Sequence, residues 1–324
     1  MKLKLLLACC GAVLAMITSA PARAAGAYPD KPIQLVIPFP PGGATDVIGR
    51  MLGKVLADRL GQSVVIENRA GAGTIVGAGY VAKAAPDGYT LLVSSGTTFT
   101  VNPAIQPRLP YDPVRSFEPI GLVGRTGLIL LANKDVPART PREFVDLVKA
   151  APDHYLYGSY GNGTTSHFAA ELMLRATGLK MAHVPYKGSA PAMVDLMGGQ
   201  IPFTVDTVAA ALPQLRSGKI KAIALTTARR SRLLPDVPTF AEAGYAVDMD
   251  TWLVVAAPRG LPPAVKARLE KALADTIALP KVREDLIASG FEPAWGNGAA
   301  ASALIDKELP LMRVIAQKAN IHVD

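Results

Sequence analysis

The chain is poor in cysteine, histidine and aromatic residues, and past its first residues it has no long apolar run. Its two cysteines are Cys9 and Cys10, so loss of the leading segment would leave no thiol for a disulfide, a Cys-based metal site or a Cys nucleophile. The four histidines form neither H-x-x-x-H nor H-E-x-x-H, which removes the usual zinc-protease helix. His167 and Glu171 stand one helical turn apart, but two groups are too few for a zinc site, and no metal is expected. No G-x-S-x-G occurs; Gly158-Ser159-Tyr160-Gly161 lacks the spacing of a nucleophile elbow. Lys187 sits in a Tyr-Lys-Gly turn with nothing beside it in sequence to desolvate its amine, so a Schiff base is not indicated. Aromatics make up 6% and basic residues are scattered, a composition without the basic stripe or stacking platform of a nucleic-acid binder.

The N-terminus has the three parts of a secretory signal. Lys2 and Lys4 precede an apolar segment, Leu5 to Ile17, and the small residues of Ser19 to Ala25 include Ala22-Arg23-Ala24, which fits an A-x-A cleavage site. Residues 1–24 are therefore read as a signal peptide, with export and a mature start near Ala25. Leu7-Ala8-Cys9 hints at a lipoprotein signal but comes before the apolar core is complete. The apolar core is too short to cross a bilayer, for which about 20 residues are needed. Removing Lys2, Lys4 and Arg23 lowers the formal charge from +8 to +5, a mild excess that suits a solvated surface with some attraction for anions.

Strand and helix patterns alternate through the rest, and one stretch organises them. Pro38 to Asp46 reads P-F-P-P-G-G-A-T-D, between the apolar run Ile33–Ile37 and a helical pattern through Ile48, Leu52, Leu56 and Leu60. Pro40 and Pro41 stop the strand; Gly42 and Gly43 permit a sharp turn and close approach of a ligand to the main chain. Thr45 or Asp46 is expected as N-cap, leaving first-turn amides open to an anion. Ala70-Gly71-Ala72-Gly73-Thr74-Ile75-Val76-Gly77 superficially matches a dinucleotide fingerprint, but it follows the second strand, Val64–Glu67, and lacks the acidic residue that should end a strand about 20 residues on. Its glycines are read as packing a helix on the sheet, and no cofactor is expected.

Ser94 to Thr98 forms a polar strand end after Leu91–Val93. Ile120–Val123 and Gly127–Ala132 follow, the second run read as a strand crossing between lobes. The opening pattern then returns: a strand at Tyr155–Gly158, a Gly/Asn loop at Ser159–Gly163, and Thr164-Thr165-Ser166 as caps of a helix. His183 to Ser189 reads as a strand and a turn, Ile201–Val205 as a strand ending in Asp206-Thr207, and Thr251–Val255 as a return crossing. From Pro262 onward helices dominate.

Taken in order, P-F-P-P-G-G-A-T-D, A-P-D-G-Y-T-L-L, G-T-T-S-H-F-A-A-E-L, H-V-P-Y-K-G, L-P-D-V-P-T-F-A-E-A-G-Y and W-x-x-x-x-A-P resemble the periplasmic receptors of tripartite tricarboxylate transporters, the Bug family. The resemblance implies an α/β, two-lobed periplasmic-binding-protein (flytrap) fold with two crossing strands, one lobe being residues 25–125 plus 251–324 and the other 126–250. It also implies a small carboxylate ligand, held at Phe39, Gly42, Gly43, Asp46, Ser95, Thr97, Gly163, Thr164, Thr165 and His167, with Asp206 near the distal end. The expected partners are integral membrane transporter subunits, the protein itself a monomer that binds without catalysis. A sensor acting on a membrane kinase would use the same fold, and an exported hydrolase is the remaining alternative.

Overall fold

The computed structural model describes residues 28–321. The signal-peptide reading, its cleavage site and both cysteines lie outside the described residues.

Two sheets share one long strand. β1 (Ile33–Ile37), β2 (Val64–Asn68), β3 (Thr90–Ser95), the first part of β4 (Phe117–Asn133), β9 (Asp250–Pro258) and β10 (Glu292–Asn297) form the first, in the order β2-β1-β3-β9-β4-β10. The second has the order β8-β4-β7-β5-β6 and uses the remainder of β4 with β5 (Leu156–Ser159), β6 (Ala182–Pro185), β7 (Phe203–Thr207) and β8 (Ile220–Leu225). β1 is parallel to β2 and β3, and β5 to β6 and β7, as strand–helix–strand units demand; β4 and β9 run antiparallel to their neighbours. Parallel strands covered on both faces read as continuous apolar runs, which is why Ile33, Leu35, Val36 and Ile37 are all fully buried.

Sequence reading split β4 in two at its glycines. In the structure it is one 17-residue strand that pairs with β9 from Phe117 to Gly127 and with β7 and β8 from Leu128 onward. The ladder absorbs register shifts between Pro119 and Gly121 and between Leu122 and Gly124, so the glycines mark bulges rather than a break. The return occurs one residue earlier than expected. The Met249 amide still donates to the Thr226 carbonyl of the second lobe at 2.8 Å, and Asp250 already pairs with Gly127.

The helices are α1 (Ala44–Leu60), α2 (Ile75–Ala82), α3 (Asn102–Ile105), α4 (Pro141–Ala150), α5 (Thr165–Thr177), α6 (Ser189–Met197), α7 (Val208–Leu215), α8 (Pro263–Ala278), α9 (Pro280–Ala288) and α10 (Gly298–Lys318). Gly61 ends α1 in the left-handed region, φ 72°, as its position after the last apolar residue predicts. Gly77 in α2 has the packing role read for the glycine-rich stretch. A Cβ there would stand 2.7 Å from both the Arg69 carbonyl and Pro38 Cβ, so the glycine lets the helix sit against the end of β1. Gly73, with φ +58°, lies instead against the Asn162 carbonyl, 2.7 Å from where a Cβ would stand.

Each lobe has its own core. Phe99, Phe117 and Trp252 fill the first, with Phe99 stacked on Trp252 at 6.0 Å; Phe144, Phe168, Phe203 and Phe240 fill the second. Side chains of this size buried completely contribute about 1.5–3 kcal/mol each relative to exposure. α10 joins both cores, through Ala301 and Ile305 in the first and Ala316 in the second.

Candidate functional site

The loop after β1 is fixed by Asp46. The N-cap of α1 is Gly43, not Thr45 or Asp46, and both of those residues lie in the first helical turn. The Asp46 carboxylate reaches back to accept from the Gly42 amide at 2.9 Å, and it also accepts from Arg50 Nε at 3.0 Å and Asn68 Nδ2 at 2.8 Å. Asn68 Nδ2 in turn donates to the Phe39 carbonyl at 3.0 Å. Burial works to raise the Asp46 pKa, but the bonds from Arg50, Gly42 and Asn68 outweigh it and hold the carboxyl below its ordinary value. Asp46 is 3% exposed and shapes the Phe39–Gly43 loop from behind.

In front of that loop, between the lobes, lies a small cavity. The first lobe contributes Phe39, Pro40, Pro41, Gly43, Ala44 and Thr45, with Ser95 from the end of β3 and Thr251 and Leu253 from β9. Facing them are Tyr160, residues 188–191 at the start of α6, and Thr207 at the end of β7; Phe291 closes one side. No lining residue carries a charged side chain. Polar recognition here falls to hydroxyls and to first-turn amides, which a helix leaves without intrahelical partners. On α1 the first intrahelical amide donor is Val47, to the Gly43 carbonyl, so the amides of Ala44, Thr45 and Asp46 precede it. The first turn of α6 holds the amides of Ser189 and Ala190. Two positive helix ends therefore border one uncharged cavity.

Asp206 stands behind this wall, wholly buried. Its Oδ1 accepts from the Thr207 amide at 2.7 Å, from Ser189 Oγ at 3.0 Å and from Thr207 Oγ1 at 3.4 Å, while Oδ2 has no partner. Burial pushes its pKa up to about 7, although those three bonds pull the other way.

The remaining predicted residues fall into two groups. Phe39, Gly43 and Ser95 line the cavity, and Gly42 lies on an adjoining groove with Val47 and Val194. Thr97 and Thr165 are buried against each other: the Thr165 amide donates to Thr97 Oγ1 at 3.1 Å, and the Thr165 hydroxyl also bonds Tyr160. Gly163 donates to His167 Nδ1 at 3.4 Å, and Thr164 caps α5 by accepting from the His167 amide. Thr164 borders a second opening between the lobes, shared with residues 70–74, Tyr186 and Lys187. Phe39, Pro40, Tyr160 and Gly188 belong to both openings and divide them.

His167 is stacked on His183, ring centroids 4.2 Å apart and 4° from parallel, and His183 is stacked on Tyr157. Burial lowers both histidine pKa values, that of His183 to about 3 with His167 adding to the effect. The pair is neutral near pH 7. His167 Nε2 lies 4.0 Å from Glu171, and no group of three or more metal-ligating side chains occurs among the described residues.

Sequence reading passed over Tyr160, Ala190, Pro191, Leu253 and Phe291. The start of α6 carried a usable signal, because Gly188-Ser189 after β6 repeats the strand, glycine, hydroxyl, helix order of the two loops singled out. Phe291 carried none; it arrives from the C-terminal return.

A tripartite tricarboxylate transporter family receptor pattern matches residues 48–321. The chain belongs to that family. Protein BugT of Bordetella pertussis is 37% identical to the receptor over 311 residues, covering 95% of each chain. Among solved structures, R. palustris Rpa4515 with adipate is 32% identical with a TM-score of 0.88, covering 91% of the receptor and 99% of its own chain. MatC (Rpa3494) from Rhodopseudomonas palustris with bound malate is also 32% identical, with a TM-score of 0.83 and coverage of 89% and 99%. The receptor thus has the two-lobed fold of periplasmic solute-binding proteins. Among its described residues no helix is long and apolar enough to cross a membrane.

Proposed function

We propose that the receptor captures a small carboxylate in the cavity between its lobes and delivers it, unchanged, to the membrane subunits of a tripartite tricarboxylate-type transporter. The observation that carries this reading is the pairing of the α1 and α6 first turns across a cavity with no charged side chain. Amides at two helix ends can hold one carboxylate in a low-dielectric space without a lysine or arginine. Relatives of the same fold with adipate and malate support the ligand class.

Residues 25–125 plus 251–324 act as one lobe and 126–250 as the other, a division supported by the change of sheet at Gly127 and Asp250. Ligand contacts to both lobes stabilise a closed state, so binding and closure are coupled. The receptor acts as a monomer after export and cleavage near Ala25. No catalytic step belongs to this reading: the two stacked histidines lie outside the cavity lining, and Asp206, which accepts from the Ser189 hydroxyl, is wholly buried behind it.

Native mass spectrometry of protein recovered from the periplasm, followed by calorimetry with the co-purifying compound and a carboxylate panel, tests the reading. A bound carboxylate, recovered intact after incubation, is the expected result. Conversion of the ligand, or binding of amines and sugars but no acids, would refute it.

A further inference from the structure

Thr251 lies on β9 where the lobes join, paired with Thr126 of β4, and the residue borders the cavity while only 4% exposed. Its Oγ1 is buried and has no hydrogen-bond partner. Three of the neighbouring hydroxyls differ. Ser189 donates to Asp206, Thr207 accepts from the Ala210 amide, and Tyr160 is bonded to Thr165. A threonine hydroxyl can donate once and accept twice, and burying it unpaired is unfavourable unless a group entering the cavity supplies the bond. Valine has the same shape without that cost, so packing alone gives no reason for the hydroxyl.

The surroundings restrict what that group can be. A ligand's carboxylate is accounted for by the first turns of α1 and α6. A second carboxylate would meet no cation on the cavity wall and would approach Asp206, which is ionised above about pH 7 behind Ser189 and Thr207. A neutral oxygen suits Thr251 better, because a hydroxyl or carbonyl forms the missing bond without bringing a charge. Oγ1 also lies beside Gly96, 3.7 Å from where a Cβ would stand, so the absence of a side chain at residue 96 leaves room next to the hydroxyl.

We propose that Thr251 is a specificity-determining residue whose hydroxyl binds a hydroxyl or carbonyl oxygen of the ligand, so that the receptor selects hydroxy- or oxo-carboxylates over plain acids of the same length. This rests on the reading of the same cavity as a carboxylate site. A site built to hydrogen-bond a ligand oxygen discriminates against the analogue lacking it, because the buried partner is then left unpaired.

Matched pairs test the assignment: lactate with propionate, 3-hydroxybutyrate with butyrate, and malate with succinate, each titrated calorimetrically into the parent, Thr251→Val and Thr251→Ser. In at least one pair the parent should bind the hydroxylated member roughly tenfold more tightly. Thr251→Val should lose that preference while holding the plain acid within about threefold of the parent, and Thr251→Ser should retain it. Without ligand, Thr251→Val should melt at or above the parent temperature, since it replaces an unpaired buried hydroxyl with a methyl. Equal binding of both members of every bound pair by the parent, or an undiminished preference in Thr251→Val, would overturn the role of Thr251 and leave the carboxylate site standing. Failure of the parent to bind any of the six acids would overturn the carboxylate reading itself and this assignment with it.

Discussion

The Thr97 hydroxyl accepts from the Thr165 amide at 3.1 Å and donates to the Thr165 hydroxyl at 3.3 Å, across 68 residues of sequence and from one lobe to the other. Thr97 follows the end of β3 and Thr165 opens α5, so one buried hydroxyl ties the two strand ends that face the cleft. Thr165→Val keeps the shape and removes the hydroxyl that Thr97 and Tyr160 share. A carboxylate should then bind more weakly by roughly 1–3 kcal/mol, the cost of leaving buried partners unpaired. Calorimetry reads the affinity, and small-angle scattering should show less compaction on ligand addition than in the parent. Unchanged affinity and compaction would remove this contact from closure.

Two glycines separate closure from ligand contact. Gly188 has φ +111°, and a Cβ there would stand 3.0 Å from Pro40 Cγ of the opposite lobe. Gly188→Ala should therefore hold the lobes apart, visible as a larger radius of gyration with ligand. Gly43 has φ −80°, and the nearest atom to its added Cβ is the Pro40 carbonyl oxygen at 3.9 Å, so the backbone tolerates a side chain. Gly43→Val should cost about 1 kcal/mol of stability through the poorer N-cap. Its branched side chain would occupy the cavity that Gly43 lines, so affinity should fall more than tenfold. Thermal melts and titrations of both variants distinguish the two effects.

Asp206 sets a pH dependence with a definite sign. Its pKa is raised to about 7 in the folded protein, so the native state keeps a proton that the unfolded chain releases in the ordinary carboxylate range. Stability from this group is present at low pH and is lost as pH rises through about 7. Asp206→Asn should lose less stability than the parent between pH 5 and pH 8. The buried His167 and His183 act in the opposite direction, losing stability as pH falls below the ordinary histidine range, so the parent-minus-variant difference is the quantity to follow. The same substitution should raise the affinity for a diacid more at pH 8 than at pH 5, because only the ionised carboxylate repels a second anion. A parallel pH profile in parent and variant would place the titration elsewhere.

The junction of the lobes offers a stability test away from the cavity. Arg125 Nε and Nη2 each donate to Asp250 at 2.7 Å, Nη2 also reaches Glu308 at 3.3 Å, and Trp252 Nε1 donates to Glu308 at 2.7 Å. Arg125→Met would leave two partly buried carboxylates without their cation. A loss of about 1–3 kcal/mol in chemical denaturation is expected, larger than for an exposed pair.

The fold was legible wherever a strand gave way to a glycine-rich turn and a helix, because proline and glycine stop a strand for reasons local to the chain. β10 was not, since Glu292-Pro293-Ala294-Trp295-Gly296-Asn297 has a loop composition and becomes a strand only by pairing with β4. The opening loop, Ser95 and the second glycine-hydroxyl loop were equally visible. What sequence did not reveal was which second-lobe helix borders the cavity. The first turn of α5 is already supplied, its Thr165 amide by Thr97 and its His167 amide by Thr164, whereas the first turn of α6 lies on the cavity wall. That distinction depends on where α5 and α6 sit relative to β3, and no local pattern encodes it.

The most direct measurement is a crystal structure of the receptor with a bound carboxylate. The carboxylate oxygens should lie within hydrogen-bond distance of first-turn amides of both α1, at Ala44 and Thr45, and α6, at Ser189 and Ala190. A ligand seated instead in the opening beside Gly73 and Thr164, or one bound to a single lobe, would contradict this placement.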